Sequence, residues 1–144
     1  MLNIYVLEDH FIQQNRIEEV IHMILKKNNI KVGDFEVFDK PNQLLDFITE
    51  RGSHQLFFLD IQIKDDTKKG LEVAKQIRKS DPYANIVFFT THSEYLPLTF
   101  QYQLAALDFI DKSLEGEDFQ KRLESIILLT CKKIQSQNPE DAFR

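Results

Sequence analysis

Short apolar runs alternate along this chain with longer stretches in which apolar residues recur at every third or fourth position. The first pattern is typical of buried strands, and the second of helices that bury one face. The five predicted strands are residues 2–7, 35–38, 55–59, 86–89 and 104–110. Because a helical stretch follows each strand, the pattern predicts a parallel sheet covered by helices.

The helical stretches are defined by their apolar stripes and by two prolines. Pro41 suits the first turn of the second helix, where its missing N–H is not needed for a hydrogen bond. The third helix should end before Pro82, because a residue that precedes proline avoids helical backbone angles. The stripes of four helices are Ile17, Val20, Ile21, Ile24 and Leu25; Leu44, Leu45 and Ile48; Gly70, Leu71, Ala74 and Ile77; and Phe119, Leu123, Ile126, Ile127 and Thr130.

The fourth helix is short and is predicted over residues 93–102. If Ser93 caps this helix, Pro97 lies one turn inside it, cannot donate a backbone hydrogen bond and weakens the helix start. The alternative is a helix that begins later. The segment also has more apolar side chains than one buried face requires, which indicates a contact surface. These side chains are Tyr95, Leu96, Leu98, Phe100 and Tyr102.

Five strand–helix pairs with short connections predict an α/β fold. Right-handed crossovers favour a flavodoxin-like (CheY-like) doubly wound sheet of five parallel strands in the order 2-1-3-4-5, with five helices. The 144 residues are enough for one domain, which we expect over residues 1–131. Residues 132–144 lose apolar periodicity, and we interpret them as a frayed tail or the start of a linker.

Composition and apolar run lengths bear on membrane contact, cellular location and DNA binding. The longest apolar runs are far shorter than the roughly 18 residues of a membrane helix. The N-terminus lacks the features of a secretory signal, so we expect a cytoplasmic protein without membrane contact. The lone Cys131 permits no internal disulfide, in agreement with that location. The formal net charge of -5 argues against DNA binding by this chain alone.

Chemistry is expected at the carboxyl ends of the strands, where residues distant in sequence meet. Glu8 and Asp9 follow the first predicted strand, and Asp60 follows the third. Thr90 follows the fourth predicted strand, and Lys112 follows the fifth. Carboxylates this close repel one another unless a cation compensates them, and Mg²⁺ prefers oxygen ligands together with phosphate oxygens. The set predicts Mg²⁺-dependent phosphoryl transfer, with Asp60 as nucleophile between the metal and the lysine.

Over roughly residues 2 to 130, these residues resemble the receiver domain of two-component response regulators. The resemblance implies that Asp60 accepts the phosphoryl group and that Asp9 and Asp60 ligate Mg²⁺ directly. It also implies that the backbone carbonyl of Gln62 completes the protein ligands and that Glu8 helps through water. Lys112 would then bind a phosphoryl oxygen. Such a domain catalyses its own phosphorylation and dephosphorylation without being a conventional turnover enzyme.

The resemblance also implies a conformational switch. In receivers the hydroxyl residue, here Thr90, moves toward the phosphoryl group and hydrogen-bonds one of its oxygens. An aromatic side chain three residues before the lysine turns inward, and Phe109 occupies that position. Because phenylalanine has no hydroxyl, switching at Phe109 would depend on packing alone.

Several longer segments resemble one subfamily, the LytTR-type regulators of peptide-pheromone systems in Gram-positive bacteria. The segments are residues 57–61, 90–94, 98–100 and 105–112. Those proteins control competence, bacteriocin production or quorum-sensed virulence. The resemblance implies a sensor histidine kinase as phosphoryl donor and DNA binding only through an absent C-terminal LytTR domain. We expect phosphorylation to promote a homodimer through the fourth helix and the fifth strand.

Two features depart from the family pattern. Most receivers follow the lysine with proline, whereas Ser113 follows Lys112 here, which puts the usual cis peptide at that loop in doubt. The loop from Lys64 to Lys69 is longer than in the simplest receivers, and we interpret it as a solvated insertion.

The same residues bear on three other functions. An FMN site needs a phosphate-binding loop of Ser, Thr and Gly after the first strand, where Glu8 and Asp9 would repel the phosphate. Mg²⁺-dependent phosphohydrolases typically use an Asp-x-Asp pair, but Gln62 occupies the second acidic position. A pseudo-receiver that binds partners without phosphorylation is the strongest rival. Its mark would be the loss of an acidic residue or the lysine, and none is lost.

Overall fold

The structure, a computed structural model, describes residues 1–137. Its strands are β1 (Leu2–Leu7), β2 (Val32–Phe38), β3 (Gln55–Leu59), β4 (Asn85–Thr90) and β5 (Asp108–Asp111). Its α-helices are α1 (Phe11–Lys27), α2 (Pro41–Phe47), α3 (Lys69–Ser80), α4 (Leu96–Gln101) and α5 (Gly116–Gln137). All strand pairs are parallel, and the sheet order is β2-β1-β3-β4-β5. The predicted doubly wound fold with strand order 2-1-3-4-5 is confirmed.

The sheet separates two apolar layers. On β3, Leu56 and Phe58 face the layer that contains α1 and α5, whereas Phe57 and Leu59 face the layer that contains α2 and α3. Successive strand residues point to opposite faces, and both faces are covered, which explains the unbroken apolar runs. Burying one such large apolar side chain contributes roughly 1.5–3 kcal/mol to folding. The central strands therefore form a rigid base for the residues at their carboxyl ends.

The fifth strand is shorter than predicted. β5 begins at Asp108, whereas the predicted strand began at residue 104. Leu104 is buried in a loop, and its N–H donates to the carbonyl of Thr99 at 3.1 Å. Ala105 has a φ of 51°, which is incompatible with a strand. The apolar run at 104–107 therefore belongs to a loop in which only Leu104 is buried, and the predicted start of the strand was wrong.

The start of the fourth helix also differs from the capped alternative. Residues Ser93–Tyr95 form a 3-10 turn without a side-chain capping hydrogen bond, and α4 begins at Leu96. Pro97 consequently lies in the first turn of α4, where a missing N–H costs no helical hydrogen bond. The alternative of a later start is the one observed, and Ser93 is not the helix cap.

The end of α5 lies beyond the predicted domain boundary. α5 continues to Gln137, and Ile134 packs partly buried against the α1 and α5 layer. The predicted tail from residue 132 therefore overlaps the last helical turns, while residues 138–144 lie outside the described residues. The division into a domain and a linker stays a prediction. Among the described helices, none combines the length and apolar character needed to cross a membrane.

Candidate functional site

Three carboxylates meet at the carboxyl edge of the sheet. Glu8 and Asp9 follow β1, and Asp60 follows β3. The register of these neighbouring strands places Leu7 opposite Leu59, so the two chain segments leave the sheet side by side. One oxygen from each carboxylate lies within 4.8 Å of the other two. The structure thus brings together the three acidic residues that the sequence singled out.

Lys112 reaches the same place from the end of β5. Its Nζ donates to Oδ2 of Asp60 at 2.6 Å and forms a second ion pair with Oε1 of Glu8. The lysine side chain is only 8% exposed, and its ammonium lies 5.2 Å from the ring centroid of Phe89. Because the Lys112 side chain is largely shielded from water, its charge acts strongly on both carboxylates.

The two oxygens of Asp60 have different surroundings. Asp60 is 5% exposed, and its backbone N–H donates to the carbonyl of Leu7 at 3.0 Å. Oδ2 is bound to Lys112, whereas Oδ1 is buried and accepts no hydrogen bond from the described part of the chain. A buried acceptor without a partner costs about 1–3 kcal/mol, more for a charged group. A cation beside Oδ1 would remove that cost.

Glu8 is fully buried and is the least exposed of the three acids. Burial raises the pKa of Glu8 to about 7, although Lys112 opposes the shift, and the nearby Asp60 raises the pKa further. The backbone N–H of His10 donates to Oε2 of Glu8 at 3.1 Å and also favours the charged form. A divalent cation close to Glu8 would favour its carboxylate in the same way.

Asp9 holds a loop as well as facing the cleft. Its Oδ2 accepts a hydrogen bond from the backbone N–H of Lys64 at 2.7 Å. Lys64 has a φ of 53° and lies at the tip of a tight turn closed by the pairing of Ile63 with Asp66. Gln62 lines the same cleft, and its side-chain amide donates to the carbonyl of Lys64 at 3.2 Å. The predicted insertion is exposed, but its first residue is tied to the acidic cluster.

Thr90 is buried at the end of β4. Its hydroxyl oxygen accepts a hydrogen bond from the backbone N–H of His92 at 3.1 Å. No hydrogen bond joins the Thr90 hydroxyl to Asp60 within residues 1–137. The backbone carbonyl of Thr90 does accept one from the N–H of Lys112, at 3.1 Å. The structure therefore places Thr90 beside the site with its hydroxyl engaged elsewhere.

Phe109 lies outside the acidic cleft. It is half-buried on β5, and its ring centroid is 6.2 Å from that of Phe88. With Leu96, Thr99 and Phe100, it lines a separate groove of about 540 Å³ between α4 and β5. The two predicted switch residues, Thr90 and Phe109, are thus near the cleft and in the groove, respectively.

The acidic cleft has a volume of about 310 Å³ and is open to solvent. Volumes near 300 Å³ are at the small end of ligand pockets, which suits a phosphoryl group rather than a large cofactor. Its lining residues are Glu8, Asp9, His10, Gln13, Asp60, Gln62, Lys64, Thr91, His92 and Lys112.

Two residues that shape the site are not marked as site residues by the sequence pattern. A Cβ added to Gly70 would overlap the carbonyl oxygen of Asp60 and lie 2.7 Å from Cα of Ile61, so α3 packs here as only glycine allows. Arg16 donates to the carbonyl of Lys112 at 2.8 Å, across 96 positions of sequence. A glycine inside an apolar helical stripe is a weak signal of close packing. No local sequence pattern marks Arg16 as a residue of the site.

Comparison with known sequences identifies a family, and the similar relatives include two proteins of the same name from different staphylococci. The response regulator receiver domain family matches residues 4–124. Accessory gene regulator protein A of Staphylococcus epidermidis is 37% identical over 119 residues, which are 81% of this chain and 48% of that protein. The protein of the same name from Staphylococcus aureus is 33% identical over 118 residues, with the same 81% and 48% coverage. The chain spans about half the length of these curated relatives.

Three solved structures illustrate the likeness in fold. The response regulatory domain of protein mrkE from Klebsiella pneumoniae has a TM-score of 0.71 at 21% identity, covering 94% of this chain and 100% of that one. The non-phosphorylated HemR receiver domain from Leptospira biflexa has a TM-score of 0.69 at 20% identity, covering 88% and 94%. The Mn²⁺-bound form of response regulator Rcp1 has a TM-score of 0.65 at 19% identity, covering 88% and 91%.

Proposed function

The chain belongs to the response regulator receiver domain family, and we propose that it takes a phosphoryl group onto Asp60 from a sensor histidine kinase, with Mg²⁺ required. The observation that carries this proposal is the setting of the Asp60 carboxylate. One oxygen lies 2.6 Å from the Lys112 ammonium, and the other is buried without a hydrogen bond within residues 1–137. Two further carboxylates offer oxygens within 4.8 Å, which suits a divalent cation.

The proposed reaction is a displacement at phosphorus. An oxygen of Asp60 attacks the phosphorus of a phosphohistidine or of acetyl phosphate, and a new P–O bond forms. The P–N or P–O bond to the donor breaks, and the imidazole or acetate leaves with the electron pair. The product is an acyl phosphate, as in other enzymes with carboxylate acceptors. Lys112 lies where its charge can stabilise the phosphoryl oxygens, since Nζ already contacts Asp60.

The residues present fit a divalent cation. We assign Asp9 and Asp60 as direct ligands together with the backbone carbonyl of Gln62, and Glu8 as a residue that acts through water. The unpartnered Oδ1 of Asp60 supports this assignment, as does the Mn²⁺-bound form of Rcp1, a response regulator with a similar fold. When bound, Mg²⁺ would neutralise charge on the phosphoryl group being transferred.

Intact-mass spectrometry tests the acceptor. With Mg²⁺ and acetyl phosphate, we expect the wild type to gain the mass of one phosphoryl group and Asp60→Asn to gain none. Asp65→Asn removes an exposed carboxylate from the neighbouring loop and should behave like the wild type. A modified Asp60→Asn would assign the acceptor to another residue. A wild type that stays unmodified would favour the phosphorylation-independent interaction module.

We further infer that phosphorylation is read out through a homodimer formed by α4 and β5. The groove between these elements is apolar, and Phe100 on its rim is 75% exposed. β5 links the groove to the cleft, since Phe109 lies in the groove and Lys112 follows the strand. In a full-length cytoplasmic protein, a C-terminal LytTR domain would convert this dimer into control of DNA binding.

A further inference from the structure

Arg16 connects α1 to the loop that follows β5. Its guanidinium donates one hydrogen bond to the backbone carbonyl of Lys112 at 2.8 Å and another to the carbonyl of Leu114. The same group lies 3.8 Å from the ring centroid of Phe119, the first buried residue of α5. One planar side chain therefore contacts the loop at two carbonyls and the start of the next helix.

These contacts complete the support of the Lys112 backbone. The N–H of Lys112 donates to the carbonyl of Thr90 at 3.1 Å, so β4 holds the peptide unit before the Cα of Lys112. The carbonyl of Lys112, in the peptide unit after that Cα, is held by Arg16. The peptide that follows is trans, since residues 1–137 contain no cis peptide bond. The base of the lysine side chain is thus fixed between a strand and a helix.

The chemistry of arginine suits this position. A guanidinium presents several N–H donors in a fixed plane and can serve two carbonyls at once, which a lysine ammonium cannot do with the same geometry. Burial lowers the pKa of Arg16, and Glu115 opposes this shift. An arginine nevertheless keeps its charge in proteins. Holding it against backbone carbonyls and an aromatic ring satisfies a partly buried cation without a direct carboxylate partner among the described contacts.

We propose that Arg16 is a positioning residue for phosphoryl transfer, which acts by fixing the backbone of Lys112 so that the ammonium points at Asp60. This inference rests on the proposed phosphorylation of Asp60. The competing interpretation is that Arg16 only joins α1 to α5, in which case its loss lowers stability but acts independently of Lys112. The two interpretations differ in whether the effects of Arg16 and Lys112 on the reaction are coupled.

A double-mutant cycle separates them. The phosphorylation rate with acetyl phosphate at saturating Mg²⁺ is measured for the wild type, Arg16→Gln, Lys112→Ala and the double variant. We expect Arg16→Gln to slow the wild-type reaction about tenfold to a hundredfold, the scale on which small misplacements of catalytic groups act. In the Lys112→Ala background the same change should alter the rate by less than about twofold, because coupled residues are non-additive.

Two further measurements make the test specific to position. Arg16→Lys keeps the charge but loses the planar fork, so its rate should stay well below that of the wild type. Calorimetric titration of Arg16→Gln with MgCl₂ should give nearly the wild-type affinity, because the acidic side chains are untouched.

Arg78→Gln is the matched control, since Arg78 is also half-buried and donates to backbone carbonyls, at Leu104 and Asp81. It should lower thermal stability and leave the rate unchanged.

The outcomes discriminate between the proposals. An unchanged rate in Arg16→Gln, or an equal slowing in both backgrounds, would overturn the positioning role while leaving the acceptor proposal intact. If Arg16→Gln does not fold, Arg16→Lys supplies the same comparison. A wild type that acetyl phosphate never modifies would overturn the acceptor proposal and the positioning role together.

Discussion

At Asp60, a single carboxylate combines a strong ion pair with an unpartnered oxygen. The Lys112 ammonium contacts Oδ2, whereas Oδ1 is buried without a hydrogen bond from the described residues, so under the proposed function the two oxygens would have separate roles. Glu8 shares the same ammonium, and its pKa is raised to about 7 mainly by burial. Lys112 is therefore the residue on which the charge balance of the cleft most depends.

Replacing Lys112 by alanine should destabilise the protein and leave metal binding largely intact. Two buried carboxylates would lose their ammonium partner, and breaking a buried pair costs about 3–5 kcal/mol. Because Glu8 can take up a proton, we expect the low end of that range. Mg²⁺ should recover part of the loss, since it compensates the same charges.

Urea denaturation with and without MgCl₂ measures both effects, and Lys79→Ala, at an exposed position of α3, is the control. The Lys112 variant should also fail to respond to beryllium fluoride in the dimerisation assay described below. A Lys112→Ala protein whose loss of stability is the same with and without Mg²⁺ would contradict this charge assignment.

At the scale of elements, the first turn of α3 packs so closely against the backbone after β3 that no side chain would fit at Gly70. The N–H of Gly70 donates to the carbonyl of Ile61 at 2.7 Å, so the first turn of α3 packs directly on the backbone that presents Asp60. This junction sets where Asp60 leaves the sheet. The two ends of β5 are held by different arginines: Arg78 binds the loop before the strand, at the end away from the cleft, and Arg16 binds the loop after it, beside Lys112.

Gly70→Ala should therefore affect both folding and the site. The new methyl group would overlap the Asp60 carbonyl, and such overpacking costs about 1–3 kcal/mol, occasionally more. Relief of the overlap requires the Asp60 backbone to move, so phosphorylation by acetyl phosphate should also slow. Gly33→Ala is the control, because a Cβ there meets the Asn3 side chain near the amino end of β1.

Chemical denaturation and the phosphorylation rate, measured on both variants, distinguish the two sites. Both variants should lose stability, but only Gly70→Ala should lose rate. A Gly70→Ala protein that is phosphorylated as fast as the wild type would show that this junction does not position the acceptor.

At the scale of the whole molecule, the acidic cleft and the apolar groove lie on elements that β5 connects. Tyr95, Leu98 and Tyr102 pack against the core, whereas Leu96 and Phe100 remain exposed at the groove. Only part of the apolar surface predicted for this segment is thus free for a partner. A ligand on Asp60 can change the shape of the groove only if the elements between them have two conformations and the ligand favours one of them.

The homodimer proposal predicts a shift in association when the acceptor is occupied. Sedimentation with Mg²⁺ and beryllium fluoride, a phosphoryl mimic, should show a larger dimer fraction for the wild type than sedimentation without the mimic. Phe100→Ser should remove the increase by removing apolar surface from the interface. Tyr83→Ser is the control, because Tyr83 is 69% exposed but lies in the loop before β4, outside the groove. Equal monomer fractions with and without the mimic would contradict the proposal.

The local pattern of apolar and polar residues was sufficient to predict the order of the strands and helices and the grouping of the three acidic residues. An apolar run that ends in a carboxylate, such as Leu56 to Asp60, marks both a buried strand and the point where it leaves the sheet. Right-handed parallel topology then places such ends at one edge, so Glu8, Asp9 and Asp60 could be grouped before any coordinates were known. The same pattern gave a wrong strand start at residues 104–107, where Leu104 is buried in a loop without forming a strand.

Hydrogen bonds between side chains and backbone groups that are distant in sequence could be identified only from the tertiary structure. The hydrogen bonds from Arg16 to the Lys112 carbonyl and from the Lys64 N–H to Asp9 join residues 96 and 55 positions apart. No periodic sequence pattern marks Arg16 or the backbone amide of Lys64, because the packing of helices and loops determines which group each of them contacts. Periodicity reports which face of an element is buried, and it contains no information about which polar group across the fold completes a site.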